Sequence, residues 1–371
     1  MRAKIFWLVA ALCLSAHFLV AQVDSVEQIE GDTLIEIAAD TLSSDLQEGG
    51  LSVQALSYYN TALDFFQTNK LDSASYYFTL ALAEEDSFPK ALINRAAVHI
   101  QLAEHREAIV DLNKYTTLVD TATNAYFFKA RSLDYLGEND SALVAYAEAI
   151  SRKAFVEDAH LRRAEILRQA GRYAEAIEDF SGALMKNSQN AKALHDRGSC
   201  KKLLGNPESA AEDYRSAIRV DPTMTTAYIN LGSIYRNLEK SAEALAEFNQ
   251  ALRLDENNIL AINNRGNTHY ALGNYLEAER DFRKVIELDP TYAYAHNNLA
   301  GALIKQERFD EAIESATKAI DLDADYGFAY LNRGIAREMI RDIPGACSDW
   351  KIAEELGIKN ADVYQNGPCN Y

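Results

Sequence analysis

Two adjacent stretches of the chain decide its fold. Residues 259–292 read ILAINNRGNTHYALGNYLEAERDFRKVIELDPTY, and residues 293–326 read AYAHNNLAGALIKQERFDEAIESATKAIDLDADY. Aligned without a gap, both stretches have asparagine as their sixth residue, a small residue as their eighth and alanine as their twentieth. Self-similarity at a fixed period of 34 residues is typical of proteins that stack equivalent structural units.

The same period continues in both directions without an insertion and gives nine units between Ala55 and Asn360. The units begin at residues 55, 89, 123, 157, 191, 225, 259, 293 and 327. With each first residue counted as position 1, position 20 is always alanine and position 8 is always alanine or glycine. Position 24 is large in eight units, and Ala316 is the exception. Small residues at positions 8 and 20 let two helices approach closely, and the large residue fills the space beside them.

This pattern resembles the tetratricopeptide repeat family over residues 55–360. The resemblance implies an all-α fold, a right-handed superhelical solenoid of helix-turn-helix repeats whose inner wall is formed mainly by the first helix of each repeat. The apolar periodicity places helix A at about positions 1–14 and helix B at about positions 15–28. The chain departs from the family in lacking tryptophan at position 4 and in having the proline of position 32 only as Pro222 and Pro290.

Arginine and aspartate vary together along the repeat. Position 7, a core leucine in this family, is arginine in five units, and position 23 is aspartate in the same five. We therefore predict an ion pair from helix A to helix B in each of these repeats. The predicted pairs are Arg95–Asp111, Arg163–Asp179, Arg197–Asp213, Arg265–Asp281 and Arg333–Asp349. The alternative is that these arginines form an anion-binding stripe.

The resemblance places positions 2, 5, 6, 9, 12 and 13 of helix A in a concave groove. Position 6 is asparagine in six units, as Asn60, Asn94, Asn230, Asn264, Asn298 and Asn332. Further amides and aromatic rings in the later repeats are Asn263, Asn267, Asn297, Tyr270, Tyr294 and Phe328. A row of carboxamides can both donate to and accept from the backbone of an extended peptide. We predict that these residues bind a partner segment, with a solvated polar wall as the alternative. The two-carboxylate clamp of related co-chaperones needs lysine at position 5, which no repeat has.

The ends of the chain carry further signals. Arg2 and Lys4 precede an apolar run from Ile5 to Val20, which predicts a signal peptide over residues 1–21, with an uncleaved anchor as the alternative. Residues 22–54 contain eight acidic residues and no lysine or arginine, so we expect a disordered, solvated linker. Residues 361–371 are too few for a tenth repeat and form a predicted capping tail, where an oxidising compartment would let Cys369 bridge to Cys347.

Composition and motifs limit the function. With 17 glycines and 6 prolines in 371 residues, the chain has too few turn residues for a sandwich or barrel. A net charge of -18 gives no general electrostatic attraction for nucleic acid or an anionic membrane. No glycine-rich phosphate loop or metal-ligand spacing occurs, so we expect no cofactor, no metal and no enzymatic activity.

The sequence therefore predicts an exported scaffold, periplasmic or secreted, that binds extended segments of partner proteins or peptides. A glycan- or cell-wall-binding module is the alternative of a different class. A regulatory subunit of an envelope enzyme would have the same sequence features.

Overall fold

The computed structural model of the chain describes residues 51–358 and Cys369. The predicted signal peptide, residues 22–50 of the predicted linker and the predicted tail apart from Cys369 lie outside the described residues. The described part consists of helices joined by short turns and contains no strand. None of its helices has the length and apolar content that crossing a bilayer requires. The chain forms two compact units, the first ending at Ser188 and the second beginning at Gln189.

The first unit contains four helix pairs. They are α1 (Val53–Gln67) with α2 (Leu71–Glu84), α3 (Pro89–Gln101) with α4 (His105–Leu118), α5 (Thr123–Tyr135) with α6 (Asn139–Ser151), and α7 (Val156–Gln169) with α8 (Tyr173–Lys186). Helix α1 begins two residues before the predicted first repeat, because the Ser52 hydroxyl accepts a hydrogen bond from the Ala55 N–H at 3.0 Å and caps the helix.

The second unit contains five helix pairs. They are α9 (Ala191–Leu203) with α10 (Pro207–Val220), α11 (Thr225–Asn237) with α12 (Ser241–Leu254), α13 (Ile259–Ala271) with α14 (Tyr275–Leu288), α15 (Ala293–Lys305) with α16 (Phe309–Leu322), and α17 (Gly327–Met339) with α18 (Ile343–Glu355). In both units each helix packs against the next one along the chain. The odd-numbered helices are the A helices of the repeats.

The two helices of each repeat meet at positions 8 and 20. All nine alanines at position 20 are completely buried. A Cβ atom added to Gly232 or Gly266, both at position 8, would lie 2.8 Å from the ring of Phe248 or Phe282 at position 24. The close approach and the aromatic filling that the sequence predicts are therefore both present.

The turn between the helices differs from the prediction. In most repeats helix A ends at position 13 and helix B spans positions 17–30, so helix B begins two residues later than predicted. The cause is position 15, which has positive φ in all nine repeats and is glycine in only four of them. Its N–H and that of position 16 return to carbonyls of helix A, as in Gly137 to Asp134 and Glu138 to Leu133, both at 2.9 Å.

All five Arg–Asp pairs are present, and each is bidentate. In repeat 7 the Arg265 Nε and Nη2 atoms donate to the two Asp281 oxygens at 2.9 and 2.7 Å. The Asp281 side chain is 9% exposed and that of Arg265 is 28% exposed. The remaining Arg265 nitrogen, Nη1, donates to Asn249 of the preceding helix B at 2.8 Å. The arginine therefore joins three helices.

The last repeat carries a covalent link. Cys347 of α18 and Cys369 form a disulfide with their Cα atoms 5.7 Å apart and a sequence separation of 22 residues. Cys200 is buried in α9 and takes no part in this disulfide.

We expect Arg265→Met to destabilise repeat 7 by roughly 3 kcal/mol, because it leaves the Asp281 carboxylate buried without its partner. Arg265→Leu combined with Asp281→Ser reproduces the residues of repeat 8 and should recover much of this loss. Hydrogen exchange of the α13 and α14 amides measures the local stability. Arg253→Met, at an exposed site on α12, is the control, and equal losses for the two single variants would contradict a structural role of the pair.

The turns give a second prediction. Ala103→Gly and Glu239→Gly should each stabilise their repeats by about 1 kcal/mol, because glycine adopts positive φ without a steric cost. Gly205→Ala should destabilise its repeat by a similar amount, since φ is +79° and no atom lies within 4 Å of the added Cβ. Exchange of the flanking helix amides reports both effects. Shifts of the same sign in all three variants would show that backbone conformation is not the cause.

Candidate functional site

The candidate site lies on the A helices of the second unit. Besides packing on their B helices, α11 and α13, α13 and α15, and α15 and α17 contact each other directly. Positions 2, 5, 6, 9 and 12 of these helices therefore form one surface, which we call the A-helix face. It continues to α9, which is joined to α11 by side-chain hydrogen bonds.

Hydrogen bonds between repeats connect the asparagines of this face. The Asn298 amide donates to Asn263 Oδ1 at 3.2 Å, and the Asn332 amide donates to Asn297 Oδ1 at 2.8 Å. Both bonds run from position 6 to position 5 of the preceding repeat. The Asn230 amide lies 3.0 Å from His195 Nε2 in the same relation. These bonds hold the side chains in place. Because one bond uses only part of the hydrogen-bonding capacity of an amide, donor and acceptor positions remain for a ligand.

Two cations interact with the same row of amides. Lys202 Nζ donates to Asn230 Oδ1, and Arg236 Nη1 donates to Asn264 Oδ1, both at 3.0 Å. Each bond joins position 12 of one repeat to position 6 of the next. Burial lowers the pKa of both cations from their ordinary values.

Aromatic rings form a ridge at the start of α15 and α17. Tyr294 and Phe328 are 53% and 52% exposed. The Tyr326 ring lies between them, with centroid distances of 4.9 and 6.2 Å. Its hydroxyl accepts a hydrogen bond from Asn297 Nδ2 at 3.2 Å. Burial raises the pKa of Tyr326 to about 12, so the hydroxyl stays protonated at neutral pH.

A shallow notch lies beside the amides at Gly301, position 9 of α15. A Cβ atom added there would be 3.8 Å from both Asn332 Nδ2 and the Tyr270 ring, so it would clash with neither. Glycine inside a helix costs about 1 kcal/mol relative to alanine, and packing does not require it here. The notch exposes helix backbone between a hydrogen-bonding amide and an aromatic ring.

The structure separates the predicted groove residues into three groups. Asn230, Asn263, Asn264, Asn267, Asn298, Asn332, Tyr270, Tyr294 and Phe328 are half-buried or exposed on the A-helix face. Asn94 and Asn297 are 1% and 6% exposed, which excludes them as direct contacts and corrects the prediction. Asn94 instead donates to Tyr59 Oη and Lys90 O in the first unit. Asn60 is exposed on α1, also in the first unit.

Sequence reasoning missed the roles of three residues in the second unit. Tyr326 lies at position 34, outside helix A, and its place in the ridge depends on neighbouring repeats. For Arg236, nothing in the sequence indicates that its side chain has an asparagine and not a carboxylate as its partner. Gly301 carried a usable signal, since glycine in the middle of a helix is unfavourable unless a close approach requires it.

Two clefts lie on the opposite side, where B helices are neighbours. A cleft of about 640 Å³ is lined by Ile286, Leu299 and Ser315, among others, and one of about 510 Å³ by Ile218, Leu231 and Glu247. The first lies between repeats 7 and 8 and the second between repeats 5 and 6. A third cleft, of about 460 Å³, is lined by the paired Arg163 and Asp179 of repeat 4, so clefts of this kind do not mark a missing Arg–Asp pair. Among the described residues no group of histidine, cysteine or acidic side chains has the arrangement of a metal site.

Comparison with known proteins agrees with this architecture. One tetratricopeptide repeat model matches residues 129–192 and 263–327, another matches 191–224, and a TPR repeat model matches 232–273. A tetratricopeptide repeat protein from Parabacteroides merdae superposes with a TM-score of 0.52 at 22% identity, covering 67% of this chain and 97% of the other. The C-terminal part of a TPR repeat-containing protein from Cytophaga hutchinsonii gives 0.53 at 20% identity, covering 64% and 98%.

A curated relative is U-box domain-containing protein 70 of Oryza sativa subsp. japonica, which is 30% identical over 87 residues. The match covers 24% of this chain and 11% of that relative. The chain thus spans about a tenth of the length of this relative.

Proposed function

Because the chain belongs to the tetratricopeptide repeat family, we propose that it is an exported, non-enzymatic scaffold that binds extended segments of partner proteins on its A-helix face. The observation that supports this proposal most directly is the row of asparagines joined from repeat to repeat, with unused hydrogen-bonding capacity. Amides at a regular spacing suit a peptide backbone, which offers donors and acceptors at regular intervals.

The surroundings of the row suit the side chains of such a segment. Tyr294 and Phe328 present exposed rings beside the amides, and the notch at Gly301 leaves room for close approach of another backbone. The same exposed rings favour the alternative, a glycan-binding module, because aromatic faces pack against sugars as well as peptides. The class of ligand captured at the ridge decides between the two.

A photo-reactive amino acid at residue 328 should crosslink a partner segment in the native host, and a synthetic peptide of that segment should bind the purified chain. Asn264→Ala with Asn298→Ala should weaken this binding by roughly 1–3 kcal/mol through lost hydrogen bonds. Gly301→Leu should also weaken it, by filling the notch. Isothermal titration calorimetry measures both effects.

The controls are Asn257→Ala, in an exposed turn, and Ala242→Leu, at an exposed site of α12. Neither lies on the A-helix face, and neither should change binding. If the double asparagine variant binds the peptide as tightly as the natural chain does, the row of asparagines is only a solvated polar wall. Crosslinks to glycan in place of peptide would favour the alternative function.

Export has its own test. If residues 1–21 direct secretion, the mature protein should begin at Gln22, and mass spectrometry of the natively expressed chain measures this N-terminus. Arg2→Glu with Lys4→Glu should trap the uncleaved chain in the cytoplasm, because the basic start of a signal peptide is needed for export. A natural chain that retains Met1 would contradict cleavage.

A further inference from the structure

Lys202 and Arg236 are unusual in having no carboxylate partner within residues 51–358. Each is half-buried and donates to an asparagine oxygen. Other partly buried cations of the second unit are paired with acids: Lys201 with Asp213 at 2.8 Å and Arg337 with Asp349 at 2.8 Å. Lys201 and Lys202 are adjacent in sequence but lie at positions 11 and 12, so only the first reaches the buried aspartate.

The nearest acid on the same helix is already engaged. Asp196 lies 2.9 Å from His195 Nδ1 and 3.1 Å from Lys192 Nζ. It is six residues from Lys202, which corresponds to about 9 Å along a helix. Helix α11 contains no acidic residue that could pair with Arg236. Two desolvated positive charges are thus left without compensation, although acidic residues outnumber basic ones by 55 to 37 in the chain.

Both cations keep most of their donors for a ligand. The lysine ammonium has three donors and the guanidinium has five, and one of each is used by an asparagine. The bond to Asn230 or Asn264 orients the head group without neutralising it. Binding of a negative group here would therefore restore an electrostatic partner at little cost in ordering the side chains.

We propose that Lys202 and Arg236, together with the amides of Asn230 and Asn264, form a carboxylate-binding site for two acidic groups of an extended peptide segment. This inference rests on the proposed function, because it names the chemistry of the segment that the A-helix face binds. The two cations belong to consecutive repeats, so the carboxylates they bind are spaced along the segment. Long polyanions are disfavoured by the net charge of -18.

We assign these carboxylates to an acidic segment of a partner, whose charge would complement the two cations. The chain's own stretch 22–50 carries eight acidic residues and no lysine or arginine: Asp24, Glu27, Glu30, Asp32, Glu36, Asp40, Asp45 and Glu48. Occupation of the site by this stretch is the other outcome of the test. The chemistry is the same in both cases, and the experiment separates them.

The test uses the full chain and two fluorescent octapeptides with blocked ends, one of glutamate and one of glutamine. We expect the glutamate peptide to bind more tightly, with an affinity that falls as salt is added. Lys202→Met with Arg236→Met should weaken its binding about tenfold or more, because a partner charge is lost at a partly desolvated site. The control, Lys240→Met with Arg253→Met, removes two exposed cations outside the A-helix face and should change binding less than about twofold.

A chain with the eight acidic residues changed to their amides identifies the source. Tighter binding of the glutamate peptide that Lys202→Met with Arg236→Met abolishes assigns the site to the protein's own stretch. Unchanged binding, or a gain that survives these two substitutions because eight negative charges are lost, assigns it to a partner. If the two double variants lose the same affinity for the glutamate peptide, the effect comes from the overall charge of the protein, and the proposal is overturned. Failure of the glutamate peptide to bind either chain would also overturn it.

The outcome is distinguishable from that of the proposed function. If the two octapeptides bind equally well, the A-helix face binds peptides but the charged site is refuted. If neither binds while the crosslinked segment still does, only the carboxylate inference fails.

Discussion

The distance between helix A and helix B at positions 8 and 20 determines most of the structure. Alanine or glycine at both positions brings the two backbones together, and the large residue at position 24 closes the remaining gap. This approach also brings position 7 of one helix opposite position 23 of the other, where a guanidinium can meet a carboxylate through two hydrogen bonds. In repeats 2, 7 and 9 the same arginine reaches a third helix, through Thr79, Asn249 or Thr317. One steric constraint thus sets both the repeat and its ionic links.

The sequence was sufficient for the fold because this constraint concerns residue size and recurs nine times. It also identified the Arg–Asp pairs, since the two positions vary together. The helix bounds were less predictable: position 15 has positive φ even where it is Glu239 or Arg341, so composition gives no warning of the turn. The pattern fixes which helix face a residue lies on, but its burial depends on side chains distant in the sequence. Asn94 is covered by Tyr59, and Asn297 by Asn332 and Tyr326.

The A-helix face and the core use polar groups differently. In the core, arginine and aspartate satisfy each other and leave little for a ligand. On the face, the asparagines are linked side to side, so their orientation is fixed while much of their capacity stays open. Such pre-organisation reduces the conformational entropy that a partner must overcome on binding. Under the proposed function, regular spacing would distribute the interaction over several repeats, which would favour long and extended ligands over compact ones.

The missing Arg–Asp pairs make the second unit uneven along its length. A repeat array behaves approximately as a one-dimensional chain of coupled elements, each with its own stability and an interface with each neighbour. Repeats 5, 7 and 9 have an internal ionic link, whereas repeats 6 and 8 have leucine at position 7 and lack it. Thermal fluctuations should therefore open the array first at these two elements, and melting should lose cooperativity there. A ligand that spans repeats 6–9 would couple the weak elements to the strong ones, and the array would then melt as one body.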